Sequence, residues 1–120
     1  MNQFIRPFKE GQIKLRCIRL GKDYQIMISG GQEHIGAVAL AVCYDNNQSK
    51  VNVSQIAVYG HKEDELVCDV ARRISKELKC TVSVTAGIHF DDLSRPEIEQ
   101  VLSIIDKLVA EFIMKLKKDY

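Results

Sequence analysis

VNVSQIAVYGHKEDELVCDVARRISKELKCTVSVT, residues 51–85, decides the architecture. Its first part, residues 51–59, is rich in β-branched residues and reads as a strand. Then the period changes. Leu66, Val67, Val70, Ala71, Ile74 and Leu78 recur on one face at helical spacing. Glu63, Asp64 and Glu65 sit in the first turn, with Arg72, Arg73, Lys76 and Lys79 further along, a charge order that suits the helix dipole. Val82 and Val84 then restore the alternation of a short strand over residues 81–85. A strand, a helix and a second strand in succession imply one crossover.

Working outward, residues 35–44 are apolar at nearly every position, with many small side chains, and read as a central strand covered on both faces. Residues 45–49 have turn composition, so the strand at 51–59 pairs back on it. Further upstream, Ile13, Leu15 and Cys17 alternate with Lys14 and Arg16. Gly21-Lys22 makes a short turn, and Tyr24, Ile26 and Ile28 alternate again, which predicts a hairpin. The apolar phase slips at Ile18 and Leu20, and again between Val53 and Ile56, predicting a bulge in each strand. Downstream, Ser94 and Glu97 form a capping box with Pro96 in the first turn. The helix they open carries a stripe of Ile98, Val101, Leu102, Ile105, Leu108, Val109, Phe112 and Ile113. The expectation is one α+β domain over residues 1–120, with a mostly antiparallel sheet in the order β-β-β-β-α-β-α, packed by two helices.

Composition excludes several classes. Of the 120 residues, 46% are hydrophobic and 28% charged, ordinary values for a globular chain. A net charge of +1 offers no general field for nucleic acid or an anionic membrane. The basic residues Arg6, Lys9, Lys14, Arg16, Arg19 and Lys22 cluster early with only Glu10 among them, as on a solvated strand face. The opening Met-Asn-Gln-Phe-Ile-Arg has no leader-like apolar core, and no apolar run reaches the roughly 20 residues that span a bilayer. A cytoplasmic protein is expected. Cys17, Cys43, Cys68 and Cys80 form no C-x-x-C pair and read as free thiols packed among apolar neighbours.

The residues that stand out are three histidines at element ends, each near glycine. His34 follows Gly30-Gly31, His61 follows Gly60, and His89 follows Gly87. Glycine there permits sharp turns and close approach of a ligand. Three histidines could ligate zinc, but the chain has no H-E-x-x-H and no i, i+4 histidine pair, so no metal is expected. Asp91 could orient His89 for acid–base work, yet no nucleophile elbow accompanies it. Gly60-His61-Lys62 leads from a strand into a helix, where free N–H groups and positive charge suit a phosphate.

Gly30-Gly31 with His34-Ile35-Gly36-Ala37, then Gly60-His61-Lys62-Glu63, then Ala86-Gly87-Ile88-His89 with Asp91, resemble the prenylated-flavin chaperone family of gallate and related hydroxyarylic-acid decarboxylase systems. In that family a proline often precedes the first histidine, where this chain has Glu33. The resemblance implies a proteasome-assembly-chaperone-like fold and a homodimer. It implies a non-catalytic chaperone or carrier for prenylated flavin mononucleotide, or FMN, serving a flavin-dependent decarboxylase. The cofactor-binding residues it points to are Gly30, Gly31, His34, Gly60, His61, Lys62, Gly87, His89 and Asp91. Two other readings stay open: an assembly chaperone acting through a dimeric sheet and helix surface, and a small histidine-dependent enzyme.

Overall fold

The computed structural model describes residues 2–44, 47, 50–58 and 63–118. The elements are β1 (Asn2–Phe8), β2 (Gly11–Leu20), β3 (Asp23–Gly31), β4 (Ala37–Tyr44), β5 (Lys50–Ala57), α1 (Asp64–Leu78), β6 (Val82–His89) and α2 (Arg95–Lys118). The strands form one sheet in the order β1-β2-β3-β6-β4-β5. Every neighbouring pair is antiparallel except β3–β6, so the α+β class and the mostly antiparallel sheet are as the sequence predicts.

The sequence reading lacks β1. Pro7 argues locally against a strand, but β1 is a sheet edge, where a missing N–H is tolerated. Its Phe8 is buried, and Phe4 meets Phe112 edge-on with ring centroids 6.2 Å apart.

Strands consecutive in sequence are not neighbours throughout, because β6 inserts between β3 and β4. Helix α1 carries the chain from β5 past β4, and β6 then pairs antiparallel with β4 and parallel with β3. The strand added last is thus interior, with Val82, Val84 and Ala86 fully buried.

Neither predicted bulge is present. Pairing runs unbroken from Ile13↔Gly30 to Leu20↔Asp23, and from Ala37↔Ala57 to Tyr44↔Lys50. The apolar phase slips because Ile18, Leu20 and Ile56 stand on the opposite face from Cys17 and Val53, not because the backbone kinks.

Both helices cover one face. Ile13, Leu15, Ile26, Ile28, Ala39 and Val84 point into it by strict alternation, and Ile74, Leu108 and Phe112 close it from the helices. Small side chains at Ala37, Ala39 and Ala41 let α1 lie close on β4. The other face carries Val38, Leu40, Val42 and Ile56. The run at 35–44 is therefore covered on one face within the chain, not on two: Leu40 is 45% exposed and Ile56 80%.

The helix ends differ. Glu97 N–H donates to Ser94 Oγ at 3.3 Å and Ser94 N–H donates to Glu97 Oε1 at 2.9 Å, the capping box read from the sequence. These bonds, with Lys9 Nζ 3.0 Å from the carboxylate, hold the Glu97 carboxyl down at about 2. Helix α1 is capped by Glu63 without any side-chain cap bond. The early basic residues also gain partners through space, Arg6 with Glu111 and Lys9 with Glu97. Among the described residues no helix is long and apolar enough to cross a membrane.

Candidate functional site

Because β6 lies between β3 and β4, the link from β3 to β4 must pass over it. Residues 32–36 do so at the C-terminal end of β6. Both ends of the link are tied down: Gln32 N–H donates to the His89 carbonyl and Gly36 N–H to the Ala86 carbonyl, each at 2.9 Å. Between them the His34 backbone lies directly on Gly87, where a Cβ would collide with the His34 carbonyl. Glycine at 87 is thus required by the crossing of two backbones.

One N–H of β6 is left beyond the end of β4, that of Ile88. Glu63 supplies its acceptor, with Oε1 at 3.3 Å. The same oxygen is 3.2 Å from His34 Nε2, and a Cβ on Gly36 would come within 2.5 Å of Oε2. The His34 Nδ1 lies 3.1 Å from the Gln32 carbonyl. Both ring nitrogens therefore lie near acceptor oxygens. The residue that begins α1 thus turns its side chain inward, and it clamps the helix start to β6 and to the 32–36 link.

The other glycines have a different occupant. The Phe90 ring packs edge-on against Phe8, with centroids 4.9 Å apart, over a floor formed by Gly11, Gly30 and Gly31. A Cβ on Gly30 would meet that ring at 3.3 Å, and Gly31 has φ 62°. His89 pairs in register with Gly31, and its Nε2 lies 3.0 Å from Asp91 Oδ1 on the exposed rim. Glu33 accepts a hydrogen bond from the Ser29 hydroxyl and faces Lys14 and Arg16, each at 3.9 Å, so ionic contacts hold the link at the position before His34.

Beside this rim opens a cleft of about 400 Å³ between the first turns of α1 and α2. Leu66 of α1, Ile88, Phe90 and Leu93 wall one side, and Ile98, Val101, Leu102 and Ile105 of α2 wall the other. Glu63 and His89 are its polar members.

Of the residues singled out by sequence, Gly30, Gly31, His34, Gly87, His89 and Asp91 gather at this one end of the sheet. Gly60, His61 and Lys62 lie outside the described residues; that segment runs directly into Glu63. His34 and His89 are each held by a separate carboxylate. Glu63 and the α2 side chains Ile98 and Leu102 are missed by sequence reasoning. A first-turn glutamate looks like dipole compensation, and a stripe residue looks like core.

Among the described residues, no three His, Cys, Asp or Glu side chains form a metal-ion set. Burial pushes the Cys17 and Cys80 thiols up to about 11, so neither is a ready nucleophile.

An apolar cleft rimmed by a few polar groups thus stands at one end of the α+β sheet. The chain belongs to the prenylated flavin chaperone LpdD-like domain family, whose profile matches residues 8–117. Among solved structures it is similar to a chain of a chaperone complex for yeast 20S proteasome assembly. The identity is 16% and the TM-score 0.52, over 96% of this chain and 97% of that one, a likeness of fold. No curated protein matches.

Gly87→Ala will force the 32–36 link off β6 and cost about 1–3 kcal/mol, as overpacking against rigid backbone does. Urea unfolding measures it; stability equal to wild type would contradict the crossing described here.

Proposed function

We propose that this chain is a non-catalytic carrier or chaperone for prenylated flavin mononucleotide, which it presents in the cytoplasm to a flavin-dependent hydroxyarylic-acid decarboxylase. The observation that carries the reading is the family match over residues 8–117. The geometry is compatible with it. The cleft has a volume in the range of small-molecule sites and mostly hydrocarbon walls, which suits a flavin ring bearing a prenyl group. The walls come from α1, α2 and the end of β6. The Ile35–Leu40 segment, also a candidate apolar wall, lines no part of the cleft: Ala37 and Ala39 face the core and Leu40 the opposite face.

Helix α1 lacks a side-chain cap, whereas α2 is closed by Ser94 and Glu97. The open end therefore favours α1 for the phosphate, with His61 and Lys62 just before it. His89, Asp91 and His34 would border the bound molecule, and Gly30, Gly31, Gly60 and Gly87 would shape the backbone around it. Bound prenylated flavin supplies chemistry to the decarboxylase; this chain's own residues bind, orient and shield.

The reading extends to a homodimer. Val38, Leu40, Val42 and Ile56 leave an apolar strip on the face without helices, and exposed strips of this kind mark interaction surfaces. A second copy there would cover the outer side of β4, the double coverage that its sequence calls for.

Two outcomes follow. The folded protein will bind FMN or its prenylated form as a yellow complex, and His61→Ala/Lys62→Ala will weaken FMN by roughly tenfold while sparing riboflavin, which lacks the phosphate. Absorbance titration reads both; no binding of either form by folded protein would sink the carrier reading. Leu40→Asp will convert a dimer to a monomer in sedimentation velocity, and an unchanged sedimentation coefficient would remove this face from the interface.

A further inference from the structure

Resting on the carrier reading, we propose that the cleft between α1 and α2 makes the protein selective for the prenylated flavin over the unmodified one, with Ile98 and Leu102 as the selecting side chains. The apolar stripe of α2 is buried from Val101 to Leu116, but Ile98 and Leu102 stay 47% and 50% exposed. They lie in the first turns, where the helix lines the cleft and not the sheet. Leu66 and Phe90 face the same space from α1 and the end of β6. Two large aliphatic side chains left in water at a cavity mouth gain from an occupant that is hydrocarbon at that point.

The polar members of the cleft restrict how a flavin can enter. Glu63 bears a carboxylate that is largely buried, and Asp64 follows it, so a phosphate is repelled from the interior and stays in solvent outside the cleft. With the phosphate kept outside, the ring system is the part left to reach Ile98 and Leu102. Prenylation adds five carbons and no polar atom. Burying that hydrocarbon against aliphatic walls favours the prenylated ligand by roughly tenfold or more. An unmodified ring offers the same walls less apolar surface and keeps its polar edge to desolvate.

The test measures affinity for FMN and for prenylated FMN, by fluorescence quenching, in the wild-type chain and three variants. Leu102→Asn and Ile98→Asn place a polar group at half-exposed helix positions. Met114→Asn is the control, because Met114 is exposed on the same helix and lines no part of the cleft. Circular dichroism verifies that each variant is folded. The wild type and Met114→Asn will prefer the prenylated form by roughly tenfold or more, and in Leu102→Asn and Ile98→Asn the ratio will fall to within about threefold. A ratio that survives both substitutions overturns the selection. Equal wild-type affinity for the two flavins overturns it too while leaving the carrier reading standing, and failure to bind either flavin overturns both.

Discussion

The backbone crossing at Gly87 governs this end of the molecule. Once β6 is inserted between β3 and β4, residues 32–36 have to bridge across it, and they can lie flat only if residue 87 has no side chain. The bridge shortens the β4 edge and leaves the Ile88 N–H without a strand partner. Glu63 fills that vacancy, and in doing so it fixes the start of α1. The position of His34 and the mouth of the cleft both follow from that one sheet order.

Much of the fold is legible in the sequence, because the signals are local. The helical spacing from Leu66 to Leu78, the Ser94–Glu97 box and the alternation around Ile13 and Ile26 each rest on a short window. What is not legible depends on neighbours distant in sequence. Pro7 obscures β1 because only its edge position makes proline acceptable. The slips at Ile18 and Ile56 look like bulges because a sequence does not say that one face of the sheet lacks helices. The slot taken by β6 is a choice between sheet positions that no local pattern encodes.

The site divides in the same way. Glycine beside histidine marks the correct end of the sheet, since crossings and turns demand glycine there. The reasons for individual glycines are different: Gly30 makes room for the Gln12 carbonyl and the Phe90 ring, Gly31 for the His89 carbonyl, and Gly87 for the His34 backbone. Glu63 is hidden among first-turn acids, and Ile98 and Leu102 are hidden within a core-like stripe. In each case the composition is right for a bland role, and only the tertiary placement gives another. The two helix ends make the contrast plain, one closed by its own side chains and the other open beside an apolar cavity.

On the proposed reading, prenylated FMN occupies the cleft between α1 and α2. Amide chemical-shift mapping by NMR during titration with prenylated FMN tests this most directly. Shifts will be concentrated at residues 63–66, 88–93 and 98–105, with the far end around Arg19, Lys79 and Lys117 unchanged. Shifts confined to that far end, or to the open sheet face around Leu40, would contradict it.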